Sequence, residues 1–478
     1  MMLDAEACSR AVSSRDPRFD GVFFVGITTT RIYCRPICPA RVSYPERRRF
    51  FDTAAAAERS GFRPCLRCRP ELAPGRALCD AVPRLARAAA LRIAEGALNG
   101  RSVEALAREL GVGGRQLRRA MERELGVSPV ELAQTHRLLL AKCLLTDTGL
   151  PVTRVAYSSG FQSLRRFNSA FREQYRMSPS ALRRTDVHGP VAFAPESDGA
   201  GLVRLTLSYR PPLAWDALLE RLGRDALPGI EIVGDGRYSR TVSLDGCRGV
   251  VFLQHARRGS QVLLDLSVGL LPVLMPLIAR LRRLGDLDAE PAVIDAHLAS
   301  TGLAAQVRRR PGLRMPVAFD GFEAAVLELV GAGSAALGNV VAAASESMET
   351  GWPGLTHFGL DARRVAALGV RGLAGLGVSA GRAEGLTAVA RAVAAGSLRL
   401  EPGAEPLETL RRLREMPGIE PRAATAIVMR ALHWPDAFSD DDARLQGLAE
   451  RWRPWGAHAA AHLRLDRLEQ LRAQPARR

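Results

Sequence analysis

The sequence predicts a multidomain, mainly helical protein with small α/β parts. Three observations carry that expectation. Four of its eight cysteines fall as Cys34-x3-Cys38 and Cys65-x2-Cys68, a spacing that lets four sulfurs converge on one ion. Downstream, Leu117–Pro129 (LRRAMERELGVSP) is repeated by Phe167–Pro179 (FNSAFREQYRMSP), fifty residues on. Beyond residue 201, strand-like alternation gives way near Ala289 to a long helical stretch rich in alanine, leucine and arginine. At 478 residues the chain has length for about three domains.

Residues 1–76 read as a small α/β module, with Phe23-Phe24-Val25 as a strand. No histidine lies between the cysteine pairs, so a four-cysteine zinc site is expected of Cys34, Cys38, Cys65 and Cys68. Two disulfides or four unrelated thiols would fit the same residues. Disulfides need an oxidising compartment, and no secretion signal is evident. A closed four-cysteine site is structural in most proteins. Here Thr28-Thr29-Thr30-Arg31, then Arg35, Arg41, Arg47, Arg48 and Arg49, and Arg63, Arg67 and Arg69 surround it. Thiolates ringed by arginines and hydroxyls suit a phosphate backbone. Cys8, Cys79, Cys143 and Cys247 are scattered and read as ordinary thiols.

The net charge is +17, and residues 1–186 hold 32 Lys/Arg against 18 Asp/Glu. Nearly all the cationic excess therefore sits in the first two-fifths, as expected of a nucleic-acid anchor. Lys142 is the only lysine. No apolar run is long enough to span a bilayer, and the chain reads as a cytoplasmic protein without a membrane partner.

Ala77–Gly100 reads as a helical connector with apolar positions at Leu85, Leu91, Ile93 and Leu98. Across 77–186 the duplicated segment has the layout of two helix-turn-helix units, each a short helix, a glycine turn and an arginine-rich amphipathic helix. The expected recognition helices are Gly114–Glu124 and Gln162–Gln174. Arg115, Gln116, Arg118 and Arg119 in one, and Gln162, Ser163, Arg165, Arg166 and Asn168 in the other, are the candidate DNA contacts. For one copy alone a solvated helix face would explain the pattern equally well.

Residues 187–201 form a Pro/Gly linker. Residues 202–286 read as a β-α-β-β-β-α unit: strand Leu202–Tyr209, helix Trp215–Leu222, strands Arg237–Leu244, Gly249–His255 and Gln261–Ser267, and helix Leu271–Leu284. The remainder, 287–478, is expected to be helical.

Three resemblances add function. Asp20-Gly21-Val22-Phe23-Phe24-Val25, Tyr33-Cys34-Arg35-Pro36 and Gly61-Phe62-Arg63-Pro64-Cys65-Leu66-Arg67-Cys68 resemble the zinc domain of the Ada methylphosphotriester-repair proteins. That resemblance makes Cys34 the methyl acceptor, completes the zinc shell with the other three cysteines, and places Thr30, Arg41 and Arg63 at phosphate-contacting positions. Ala156-Tyr157-Ser158-Ser159-Gly160-Phe161 through Ser178-Pro179 is similar to the AraC-type regulators, which bind double-stranded DNA with two helix-turn-helix units. RNA polymerase is then a candidate partner.

The second half resembles the AlkA type of DNA-3-methyladenine glycosylase, an all-α helix-hairpin-helix domain preceded by a small α/β domain. The matching residues include Ser208-Tyr209-Arg210-Pro211-Pro212, Tyr238-Ser239-Arg240, Pro311–Pro316, Met416-Pro417-Gly418-Ile419 and Glu450–Trp455. The resemblance implies a DNA-contacting Gly418 and a catalytic carboxylate at Asp442, at the end of Trp434–Asp442. A run of aspartates also suits a helix cap. The hairpin departs from Gly-hydrophobic-Gly at Glu420-Pro421. The family's pocket aromatics fall on Arg422, Ala426 and Arg464, and a common glutamine on Ala332. Two readings follow. One is a fused protein that accepts methyl groups, regulates transcription and excises alkylated purines; the other is a methylation-sensing regulator whose glycosylase-like half only docks on DNA. No stretch resembles the Pro-Cys-His-Arg site of O6-alkylguanine methyltransferases.

Overall fold

The computed structural model describes residues 4–41, 43–75, 84–185, 201–438 and 443–473. The chain divides into two compact units. The first is residues 1–210 with 244–249 and 256–279, and the second is 211–243, 250–255 and 280–478.

The first unit opens on α1 (Ala5–Ser14) and a four-stranded sheet of β1 (Phe24–Ile27), β2 (Ile32–Cys34), β3 (Arg48–Phe51) and β4 (Arg63–Pro64). The strand order is β3-β1-β2-β4, and β2 and β4 run parallel. Between β3 and β4 lies α2 (Ala54–Arg59), started by Thr53, whose hydroxyl accepts from the Ala56 N–H at 3.0 Å. Phe24, Tyr33, Phe51 and Phe62 close the sheet's core.

Among the described residues seven helices follow: α3 (Arg84–Ala94), α4 (Val103–Glu109), α5 (Gly114–Leu125), α6 (Pro129–Asp147), α7 (Val152–Ser158), α8 (Leu164–Tyr175) and α9 (Pro179–Thr185). The expected connector helix exists but is not a spacer. Ala89 and Ile93 of α3 are buried in one core with Leu106, Leu117 and Met121, and Ala55 of α2 enters the same core.

The duplication is exact in structure at its core positions. Leu117, Met121 and Leu125 of α5 are buried, and so are Phe167, Phe171 and Tyr175 of α8, fifty residues on. Gly111 and Gly160 take positive φ of 72° and 90° at the turn of each copy, where a side chain would be strained. The α6 start carries a reciprocal cap, with Ser128 N–H donating to Glu131 at 2.7 Å and Glu131 N–H to the Ser128 hydroxyl at 3.3 Å.

The next strands are β5 (Leu202–Ser208), β6 (Glu231–Gly234), β7 (Arg237–Leu244), β8 (Cys247–His255) and β9 (Gln261–Ser267), in the sheet order β5-β9-β8-β7-β6. Helix α10 (Trp215–Arg224) intervenes and α11 (Leu274–Leu284) follows. The sequence reading omitted β6. Its four residues pair with β7 through Asp235 and Gly236, both at positive φ. An Asp-Gly pair in that conformation makes a tight hairpin, whose twist matches that of paired strands. The expected helix from Leu271 begins instead at Leu274, after a 3-10 turn over Val268–Val273 that contains Pro272.

In the second unit the described residues after Ala289 are helical as expected, apart from loops and two-residue strands at Glu346–Ser347 and His357–Phe358. The core gathers Val326, Leu337, Val341, Leu386, Leu413, Ile427 and Val428. Helices Pro406–Arg414 and Pro421–Leu432 form the expected hairpin.

At the end of Pro421–Leu432 the chain turns at His433, with φ of 54°. His433 Nε2 lies 2.8 Å from one oxygen of Asp286, and His458 Nε2 lies 3.0 Å from the other. Asp286 is 3% exposed. Burial opposes its charge, and hydrogen bonds from the two imidazoles overcome that, holding the carboxyl well below the usual range. This pin fixes where Trp434–Phe438 departs. Asp286→Ala is expected to remove about 3 kcal/mol of stability at neutral pH, because it strands two buried imidazoles. A depressed carboxyl contributes above its unfolded value, so the wild-type advantage shrinks as pH falls below about 4. Thermal denaturation of both proteins across that range checks the loss and its sign.

Candidate functional site

Parallel pairing of β2 with β4 builds the metal site. Cys34 ends β2, and Tyr33 pairs with Pro64 across to β4, so Cys65 emerges beside it. The Cys65 N–H donates to the Tyr33 carbonyl at 3.0 Å. A turn closed by the Cys38 N–H on the Arg35 carbonyl brings Cys38 back, and the Arg35 N–H donates to Cys68 Sγ at 3.3 Å. All four Sγ atoms lie within 4.8 Å of one another. A tetrahedral Zn–S shell at 2.3 Å needs sulfurs about 3.8 Å apart, so the donor set fits zinc with little movement.

Crowding makes the same point electrostatically. Hydrogen bonding to Cys38, Cys65 and Cys68 pushes the Cys34 thiol far up, and burial adds to it. Four thiolates at this distance need a cation, and Zn²⁺ is the metal centre's ion. The two-disulfide alternative fails, since all four are free thiols converging on one point.

Cys34 lines a cavity of about 360 Å³. Thr30, Arg41 and Arg63, the expected phosphate contacts, line it too, together with Arg67. Thr30, Arg41, Arg63 and Arg67 are all exposed. Tyr175 and Met177, at and just past the end of α8, complete the wall. Spacing could not have found those two.

Not every surrounding arginine serves the cavity mouth. Arg35 is buried, 7% exposed, with its guanidinium paired to Asp20 and bonded to the Cys68 carbonyl at 3.2 Å. Arg48 donates to the Ser9 and Ser43 carbonyls, and Arg69 pairs with Glu71 and Asp147. These three hold the module together. Their charges are satisfied inside the protein, which a count of arginines cannot reveal.

On the helix-turn-helix units, Arg115, Gln116 and Arg119 are exposed on α5, and Arg165 and Arg166 on α8. Arg118 is partly covered and paired with Glu104. The second helix starts two residues later than expected, so Gln162 and Ser163 precede it. Ser163 is its cap, accepting from the Arg166 N–H, and Asn168 is half-buried. Gly418, at positive φ in the hairpin, packs so that a Cβ would lie 2.0 Å from the Gly381 carbonyl oxygen. Glycine is therefore required there by packing alone. Asp442, with Asp441, lies outside the described residues. Among the described residues that precede them, Phe438 packs against Trp452 with ring centroids 5.0 Å apart, and Asp436 pairs with Arg453 at 2.7 Å.

One equivalent of zinc per chain is expected in reduced protein, and Cys65→Ala should lose it. Metal analysis of both proteins checks this, and metal-free wild type would refute it.

Comparison with known proteins agrees along the chain. Residues 7–71 match the family model for the metal binding domain of Ada, 106–185 a helix-turn-helix domain and 204–320 the AlkA N-terminal domain. DNA-3-methyladenine glycosylase 2 of Escherichia coli is 30% identical over 275 residues, 54% of this chain and 95% of that one. The bifunctional transcriptional activator/DNA repair enzyme Ada of Escherichia coli is 33% identical over 152 residues, 32% of this chain and 41% of that one. The probable bifunctional transcriptional activator/DNA repair enzyme AlkA of Mycobacterium tuberculosis is 36% identical over 483 residues, 96% of each chain. With similarity at that level running end to end, the chain belongs to the AlkA family of bifunctional transcriptional activator/DNA repair proteins.

Proposed function

We propose that this protein senses and repairs DNA methylation damage in one chain. It accepts methyl groups from methylphosphotriesters on Cys34, binds promoter DNA through its two helix-turn-helix units, and excises alkylated purines with its second half. The domains assigned are 1–76, 77–186, 202–286 and 287–478, with 187–201 as linker. The setting is the reducing cytoplasm, where thiolates persist, and RNA polymerase is the partner expected of a promoter-bound activator.

The observation that carries the first activity is Cys34 in a cavity lined by Thr30, Arg41 and Arg63. The three polar residues would hold a methylated phosphate with its methyl carbon toward sulfur. The Cys34 thiolate attacks that carbon. A C–S bond forms, the C–O bond breaks, and the electron pair leaves with the phosphodiester oxygen. Bound zinc would keep the sulfur deprotonated at neutral pH. The thioether formed is a stable end product, so each molecule acts once.

Incubation with DNA carrying methylphosphotriesters should add one methyl mass to the Cys34 peptide, and Cys34→Ser should abolish it. A methyl on Cys38 or Cys65 instead overturns the assignment. The methylated form should bind DNA more tightly, because the site loses one negative charge near the phosphates.

For excision, Asp442 is assigned as the carboxylate that stabilises positive charge at C1′ while the N-glycosidic bond breaks and water adds. The departing base takes the electron pair. No lysine occurs anywhere after Lys142, so this half has no lysine amine to form a Schiff base, and simple hydrolysis follows. Cationic purines such as 3-methyladenine and 7-methylguanine leave most readily and are the expected products. On methylated duplex DNA, wild type should release them and leave abasic sites uncleaved, whereas Asp442→Asn should release almost none. Wild type that binds the duplex and frees no purine above background defeats this part of the reading.

A further inference from the structure

We infer that helix α6 couples the four-cysteine site to both helix-turn-helix units through two buried polar arms, with Lys142 and Thr135 as positioning residues. This rests on the methyl-sensing reading above and names the part of the chain that carries the signal.

The first arm is Lys142. Its ammonium donates to the carbonyl of Cys65, a metal-ligating residue, at 3.1 Å and pairs with Glu71 at 2.6 Å. Both side chains are 1% exposed. Of 67 cationic residues it alone is lysine. A compact ammonium with three N–H groups can enter a closed corner where a planar guanidinium would not. Arg69 braces the corner from the other side, on Glu71 at 3.0 Å and on Asp147 of α6 at 2.6 Å.

The second arm is Thr135. Its hydroxyl donates to Glu58 at 2.5 Å, and the other Glu58 oxygen accepts from Tyr33 at 2.9 Å. Tyr33 is fully buried and directly precedes Cys34. Its carbonyl is the group that receives the Cys65 N–H. The two arms thus grip the two adjacent strands that present Cys34 and Cys65.

Thr135 and Lys142 are seven residues apart, about two helical turns, and so share one face of α6. Leu139 lies between them on that face, against the core of Tyr33, Phe51 and Phe62. Elsewhere α6 packs on α3 and on α5, the arginine-rich helix of the first helix-turn-helix copy, and on α7 and α9 in and after the second copy. The Tyr175 hydroxyl of α8 donates to the Leu138 carbonyl at 3.2 Å, and Tyr175 itself lines the Cys34 cavity. A methyl on Cys34 adds volume to that cavity and removes a charge from the site. Both changes bear on the strands that the arms hold. Displacement passes to α6, which spaces α5 and α8. A rigid helix in contact with the cysteine site and with both copies is a contiguous element through which such coupling can travel.

The test compares affinity for one unmethylated duplex of mixed sequence, at one salt concentration, before and after methylation by methylphosphotriester DNA. The variants are Lys142→Met with Glu71→Gln, which leaves no buried charge unpaired, and Thr135→Val, which is nearly isosteric. Each should still bind one zinc and take one methyl on Cys34. The methylated-to-unmethylated affinity ratio should fall toward one by about threefold or more. A purely structural role would weaken both forms alike and leave the ratio intact. An unchanged ratio in both variants overturns the coupling; if the double variant does not fold, Thr135→Val decides alone. A wild-type ratio of one refutes the methyl-sensing reading first, and the coupling with it.

Discussion

Four sulfurs within 4.8 Å of one another set the conditions for the rest of the first unit. Without a cation such a cluster cannot hold its thiolates, and with one it carries excess negative charge in a partly buried place. The fold answers with geometry. Parallel pairing of β2 and β4 delivers both ligand pairs at the same end of two neighbouring strands, and the Arg35 N–H on Cys68 closes the loop. The same pairing leaves Cys34, with Cys38 and Cys65, lining a cavity while Cys68 takes the hydrogen bond.

Cations near the site divide by what they face. Arg35 and Lys142 are buried and fully engaged with Asp20, Glu71 and ligand carbonyls. They lower the cost of the cluster's charge and fix its backbone. Arg41, Arg63 and Arg67 are exposed at the cavity. Being solvated, they can exchange water for phosphate at small desolvation cost. One electrostatic problem thus yields a rigid floor and a cationic rim, and α6, which meets the floor, also joins the two DNA-reading units.

The second unit solves a different problem by similar means. Helix Pro421–Leu432 must stop and release a segment in a defined direction. Asp286 does this by accepting from His433 at the helix end and from His458 on the final helix. A charge buried between two donors is rigid because any movement leaves one group unsatisfied. Gly418 gives the hairpin close contact with Gly381 and Gly385, so the helix pair is set by backbone packing whatever it later touches.

Much of this was legible in the sequence because it depends on short-range spacing. Cysteine spacing predicted a single four-sulfur centre, and the fifty-residue repeat predicted two matching helix pairs with buried positions in register. Alternation placed Arg237–Leu244 and Gln261–Ser267 at the bounds the structure shows. Strand β6 was missed because four residues carry too little periodicity, although the Asp235-Gly236 turn was a readable signal. What only the tertiary structure decided concerns partners far away in the chain. Sequence gave no means to separate Arg35 and Arg69, turned inward onto acids, from Arg41 and Arg63 at the cavity, since all look alike in composition. Nor could it show that Lys142 reaches Cys65, or that Tyr175 closes the cavity wall. Spacing along a chain is fixed by covalent geometry, whereas the burial of a charge depends on which distant group arrives to neutralise it.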